Sequence, residues 1–197
     1  MNRRGFLGAL SALSLTASLP GAALAMTDAQ ARALVDAAVA DINKVIASGK
    51  SLDAMIRDFE RIFVKYGDVP IIARSALGVD ARRASPAQLN AYTAAFQGYI
   101  ARKYGRRFEE FVGGRIEVEA ARRVKSFHEV HTRAFLRGEA PFAVDFLVSD
   151  KSGRPRFFDM IIEGISLRIS EKEEIGAMLD ARNGDIALLT EDLKRAG

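Results

Sequence analysis

From Thr27 onward the apolar positions change their period along the chain, and those changes predict its elements. Ala33, Leu34, Ala37, Ala38 and Ile42 recur at helical spacing behind Thr27 and Gln30, a capping-box pair. Ser48-Gly49-Lys50 breaks the pattern. Ser51 is expected to cap a second helix through Leu52, Met55, Ile56, Phe59, Ile62 and Phe63, stopping at Gly67. Asp68-Val69-Pro70 opens a short helical piece through Ile71, Ile72 and Leu77, closed by Gly78. Ser85-Pro86-Ala87-Gln88 is a strong helix start, with a capping serine, proline in the first turn and glutamine at the capping-box position. Behind it Leu89, Tyr92, Phe96, Tyr99, Ile100, Tyr104, Phe108 and Phe111 return every three or four residues, the most aromatic face in the chain.

Gly113-Gly114 marks a change from helical to strand period. Ile116, Val118 and Ala120 alternate with charged residues, and Val130, Thr132, Ala134 and Leu136 form one side of a second strand. Arg137-Gly138-Glu139 turns into a third strand, where Phe142, Val144, Phe146 and Val148 share a face. Asp150-Lys151-Ser152-Gly153 reads as a hairpin turn into a fourth, with Phe158, Met160 and Ile162 inside and Asp159 and Glu163 outside. The apolar phase slips at Gly164, which predicts a bulge or bend. Ser170 and Glu173 are expected to cap a helix to about Arg182, and Ile186 to Leu193 forms the last one after Asn183-Gly184. The fold class predicted is α+β: N-terminal helices packed on a twisted antiparallel meander sheet of four to five strands, then C-terminal helices, with an apolar pocket between sheet and helices.

The chain's start changes what this domain is for. Arg3 and Arg4 precede an uncharged run from Phe6 to Leu19, and Ala23-Leu24-Ala25 offers a small-x-small cleavage pattern. Residues 1–25 are therefore expected to be a cleavable signal peptide and 26–197 a single exported domain. Pro20-Gly21 and the many small residues argue against a membrane anchor. The run Arg3-Arg4-Gly5-Phe6-Leu7 resembles a twin-arginine export signal, the route of proteins that fold before they cross. Two arginines and no acid leave with this segment, so the formal net charge of +4 falls to +2 and gives little reason to expect a nucleic-acid partner. With no cysteine the domain has neither disulfides nor thiol chemistry.

Candidate chemistry is thin. His128-Glu129-Val130-His131 is the one cluster resembling a metal or acid–base site. Positions three apart on a strand point to opposite faces, so the two histidines do not converge and are expected at the surface. No serine sits in a Gly-x-Ser-x-Gly elbow, and Gly113-Gly114 precedes a strand where a phosphate-cradling loop precedes a helix. Asp145, Asp159 and Glu163 each alternate away from an apolar face. No catalytic residue and no metal ligand is assigned, and the protein is not expected to be an enzyme.

The aromatic helix and the sheet offer more apolar surface than a minimal core needs. Either they pack on each other, or they stand apart and enclose an apolar ligand such as acyl chains, at about 0.8 kcal/mol per buried CH₂. Val69-Pro70-Ile71-Ile72-Ala73-Arg74-Ser75-Ala76-Leu77-Gly78 resembles a signature of the MlaC-type periplasmic phospholipid-binding proteins, also described as toluene-tolerance or ABC-transporter auxiliary components. Ser85-Pro86-x-Gln88 with Tyr92, Phe96, Tyr99, Tyr104 and Phe108 is similar to that family's central helix, and Asp159 to Leu167 to its Asp-x-x-x-Glu-Gly-Val-Ser-Leu stretch. The chain departs from the family at Val79-Asp80-Ala81-Arg82, where an aromatic-Trp-Arg element is common, and at Lys172 and Ile175.

The resemblance implies a monomeric periplasmic shuttle with phospholipid as cargo and no other cofactor. Its partners are an inner-membrane ABC transporter complex and an outer-membrane lipoprotein–porin complex, and its role is to maintain outer-membrane lipid asymmetry. By residue type and expected face, the tail contacts are Val69, Ile72, Leu77, Phe96, Ile100, Tyr104, Phe108, Val144, Phe146, Met160 and Ile162. Arg74 is expected in a structural salt bridge in preference to a place near the pocket mouth. Arg102-Lys103 with Arg106-Arg107, and Arg122-Arg123 with Lys125, read as a solvated helix face and loop, or as steering toward anionic headgroups. An adaptor that binds partner proteins but no lipid, and a pocketed enzyme, are the competing readings.

Overall fold

A computed structural model describes residues 26–197, so the expected signal peptide lies outside the described residues. Three helices come first: α1 (Asp28–Ile46), α2 (Leu52–Tyr66) and α3 (Val69–Leu77), the last running into a 3₁₀ turn over Gly78–Arg82. Helices α4 (Pro86–Gly105) and α5 (Phe108–Phe111) lead to strands β1 (Arg115–Val124), β2 (Phe127–Phe135), β3 (Phe142–Ser149), β4 (Arg156–Ile162) and β5 (Ile165–Ser166), and α6 (Leu167–Asp180) and α7 (Ile186–Leu193) close the chain. The strands form one antiparallel sheet in sequence order, β1 to β5. One hydrophobic cluster joins residues from Met26 to Leu193.

Two helix starts follow the capping chemistry expected of them. Thr27 and Gln30, and Ser85 and Gln88, exchange reciprocal bonds between side chain and backbone. Ser85→Ala is expected to destabilise the protein by about 1 kcal/mol in urea denaturation. Ser51 stands at the head of α2, but its side chain makes no capping bond. Helix α6 starts earlier than expected, with Ser166 rather than Ser170 accepting the first-turn N–H, from Ile169.

The aromatic helix is broken rather than continuous. It ends at Gly105, where a Cβ would lie 2.9 Å from Ile56 Cγ1, so the missing side chain lets α4 close on α2. The chain then turns, and Phe108 on α5 meets Phe59 on α2 edge-on, with centroids 5.0 Å apart.

Bulges account for most departures in the sheet. The β1–β2 register slips between Val118 and Ala120, which turns Ala120 outward and Ala121 inward and carries the strand on to Val124. Arg122 and Arg123 are thus strand residues. Arg32 on α1 donates to the carbonyls of Val118 and Glu119 at the slip, at 3.0 and 2.9 Å, and Asn43 exchanges two bonds with the backbone of Ile116. A second slip, between Leu147 and Val148 against β4, makes Phe157 rather than Phe158 the inward aromatic. Phe157 packs on Phe63 and Phe146, while Phe158 meets Phe127 on the opposite face. At Gly164 there is no bulge. Glu163 and Gly164 both have positive φ (49° and 80°) and form the tight turn of the β4–β5 hairpin.

Candidate functional site

Between the helices and the inner face of the sheet lies an enclosed, wholly apolar cavity of about 20 Å³. Helix α1 supplies Ala38 and Ile42, α2 supplies Phe59, Ile62 and Phe63, and α4 supplies Ile100 and Tyr104. The sheet side is Phe146, Phe157 and Met160, and Leu167 at the start of α6 closes it. Free space of this size is on the order of one water molecule, whereas ligand pockets run to roughly 300–1,000 Å³. Larger depressions exist on the surface, one of about 480 Å³ around Asp68, Val69, Arg154 and Arg156, but these are open and charged, and unsuited to acyl chains.

Of the residues expected to contact lipid tails, Ile100, Tyr104, Phe146 and Met160 meet at this cavity. Phe108 stands beside it through Phe59. Val144 and Ile162 pair across β3 and β4 beyond its edge. Phe96 is fully buried between Tyr92 and Tyr99. Val69, Ile72 and Leu77 are buried on α3, Val69 at the surface groove named above. Sequence reasoning missed Phe157, hidden by the bulge. It also missed the α1 and α2 wall, although Phe59, Ile62 and Phe63 recur at helical spacing.

A polar cluster adjoins the cavity at Tyr104. The Tyr104 ring lines the cavity, and the Tyr104 hydroxyl donates to Glu171 on α6. Lys103 Nζ donates to Glu171 Oε1 at 2.7 Å, to Glu174 and to the Tyr99 hydroxyl at 3.1 Å, and Tyr99 donates to Glu174 at 2.6 Å. Burial, and then the neighbouring carboxylates, push the Tyr92, Tyr99 and Tyr104 hydroxyls above their ordinary range, so they stay neutral donors. Burial pulls Lys103 down, but its bonds to Glu171 and Glu174 outweigh that and hold it up as an ammonium. Burial likewise raises Glu174, and Lys103 and Tyr99 more than reverse it, keeping the carboxylate ionised.

The histidines separate, as strand geometry requires. His128 points inward, however, and is not a surface residue: it is 5% exposed, and its Nδ1 lies 2.6 Å from Asp28 Oδ1 at the start of α1. His131 faces outward, where the β2–β3 register sets Asp145 opposite it and Glu129 shares its face. Its Nδ1 meets Asp145 at 3.0 Å, its Nε2 lies 3.9 Å from Glu129, and Arg122 also holds Glu129. One ligand atom from each of Glu129, His131 and Asp145 lies within 4.8 Å of the others, but Glu129 is already engaged by Arg122 and the group is only partly buried. Arg74 is exposed and, among the described residues, makes no ion pair, contrary to the salt bridge expected of it. Asp159, expected on a solvated surface, is 4% exposed and accepts from Ser166 Oγ and the Arg168 N–H. Part of the first basic cluster is also structural, since Arg102 donates to the carbonyls of Leu193 and Ala196.

The sequence model of the MlaC protein family matches residues 32–195, well over half of the chain. The chain belongs to the MlaC family. Among solved structures it is similar to a phospholipid-binding protein from Ralstonia solanacearum, determined in complex with a phospholipid at 1.53 Å. That likeness has a TM-score of 0.72 at 21% identity and covers 84% of this chain and 96% of the other. It establishes the shared α+β fold of this MlaC-family chain. Among the described residues, no helix is long and apolar enough to cross a membrane.

Proposed function

We propose that this protein is a periplasmic phospholipid carrier, the diffusible component of an ABC-type system moving glycerophospholipid between inner and outer membranes. The observation that carries the reading is the dry cavity between helices and sheet, in a chain whose family and fold neighbour point to phospholipid binding. Acyl chains enter by parting apolar side chains of the helices from those of β3 and β4, while backbone bonds such as Asp68 N–H to the Phe157 carbonyl hold the α2–α3 junction to β4. Binding and release, not catalysis, are its work. Its partners on this reading are an inner-membrane ABC transporter complex and an outer-membrane lipoprotein–porin complex.

Export through residues 1–25 is part of the proposal. The Met26 backbone N–H donates to Asp150 Oδ2 at 3.2 Å, and the Met26 side chain is buried. Cleavage after Ala25 turns that nitrogen into an ammonium already placed against a carboxylate, which favours this cut over one further into α1.

The narrowness of the cavity favours a second reading, an adaptor that docks transporter proteins and keeps a collapsed core. Solvent extraction and native mass spectrometry of protein purified from the periplasm separate the two. The carrier reading expects co-purified phospholipid and a chain beginning at Met26. Protein that is repeatedly empty and takes nothing from phospholipid vesicles leaves the adaptor.

A further inference from the structure

Lys103 sits in surroundings that suit any alkylammonium ion. Two carboxylates, Glu171 and Glu174, bond its Nζ, which lies 5.4 and 5.5 Å from the ring centroids of Tyr99 and Tyr104. Carboxylates combined with aromatic faces are a general recipe for holding such a cation. The charges do not balance, because two carboxylates face a single ammonium. Two nearby cations are engaged elsewhere, Arg107 by Glu110 and Arg168 by Asp159. Glu171 is fully buried, and its Oε2 has no hydrogen-bond donor; the buried Tyr92 hydroxyl likewise has no partner. A buried carboxylate oxygen left without a donor is costly, so the site is short of N–H groups as well as positive charge.

The cluster adjoins the cavity through both helices. On α6, Leu167 lines the cavity and Glu171 follows four residues later; on α4, Ile100 lines it and Lys103 follows three later, so each pair shares a helix face. Tyr104 belongs to both, with its ring on the cavity and its hydroxyl on Glu171. At the other end Glu174 and Lys103 are partly open to solvent, with side chains 47% and 27% exposed. The cluster therefore extends from the cavity lining to water.

Resting on the carrier reading, we propose that the Tyr99–Lys103–Tyr104–Glu171–Glu174 cluster is a headgroup subsite selecting phospholipids with a primary ammonium, and that Lys103 is its internal occupant, joined or displaced by the headgroup. A primary ammonium brings both positive charge and N–H donors for Glu171 Oε2. A quaternary ammonium brings charge without donors. A glycerol headgroup leaves the phosphate's negative charge uncompensated beside two carboxylates.

The test is competitive loading from vesicles of equal parts phosphatidylethanolamine, phosphatidylcholine and phosphatidylglycerol, followed by re-isolation and mass spectrometry of bound lipid. Wild type is expected to enrich phosphatidylethanolamine over phosphatidylglycerol by about three- to tenfold, with phosphatidylcholine between. Glu171→Gln is expected to bring that ratio close to unity, and Glu174→Gln, at a half-exposed position that tolerates change, to lower it in part. Lys103→Met vacates the ammonium position and is expected to raise the ratio; thermal melts confirm that each variant is folded. Bound lipid without headgroup preference, or a preference unmoved by both glutamate variants, overturns the subsite and leaves the carrier reading standing. A fall in the ratio on Lys103→Met also overturns it, making Lys103 a phosphate ligand. No bound lipid at all sinks both readings together.

Discussion

Met160→Asp is expected to lose nearly all lipid loading, by a factor on the order of a hundred or more, while Ile165→Asp on the same hairpin loads normally. Met160 pairs with Phe146 across β3 and β4 and forms part of the sheet-side wall of the cavity. A carboxylate there would face acyl chains with no cation beside it, at a cost of about 3 kcal/mol or more, and each 1.4 kcal/mol is tenfold in affinity. Ile165 is 65% exposed, so the same charge there meets water. Phospholipid per protein after incubation with vesicles is the measurement. Met160 is only partly buried, so the variant is expected to stay folded, with a cooperative melt as the check. Equal loading of Met160→Asp and Ile165→Asp would remove the cavity as the tail site.

The sequence disclosed periodicity well and depth poorly. Capping boxes at Thr27 and Ser85 and the alternation in β2 and β3 rest on local chemistry, and the structure has them where the pattern put them. What failed was phase. One extra residue in β1 and one in β4 break the alternation across them, so Ala120 and Phe158 turn outward and Ala121 and Phe157 inward. Bulges are tertiary events: the Val118 slip is held by Arg32, eighty-odd residues away in sequence. The cavity shows the same division. Ile100, Tyr104, Phe146 and Met160 were legible because their faces were, but a periodic pattern cannot tell a residue beside a gap from one packed solid. Phe96 and Ile72 carry the same helical signal as Ile100, yet they do not line this cavity. The polar cluster was invisible for a related reason. Glu171 looks like any helix-surface glutamate until α4 is laid against it.

Asp159→Ala is expected to destabilise the fold by about 3 kcal/mol, or roughly 6–12 °C in Tm, through the joint between sheet and helix. Alternation assigned Asp159 to a solvated surface, but the carboxylate is buried and bonded on both oxygens. Oδ1 accepts the Met160 and Arg168 N–H groups at 2.9 and 3.0 Å, and Oδ2 accepts the Ser166 hydroxyl at 2.7 Å. Arg168 N–H is one of the orphan donors of the first turn of α6, and Ser166 Oγ accepts another, from Ile169. The same stretch holds itself together at its other end, where Glu163 accepts the Ala143 N–H at 2.7 Å. The run from Asp159 to Leu167 is thus a clasp that fixes the tight turn, starts α6 and sets Leu167 into the cavity wall. Alanine leaves three partly buried donors without this acceptor, which is why the expected loss exceeds the ~1 kcal/mol of a single cap such as Ser166→Ala. Asp159→Asn keeps an acceptor and should fall between the two. Urea denaturation at constant m value gives the comparison. A loss within about 0.5 kcal/mol for Asp159→Ala, the range of a surface substitution, would mean that the clasp does not hold α6 to the sheet.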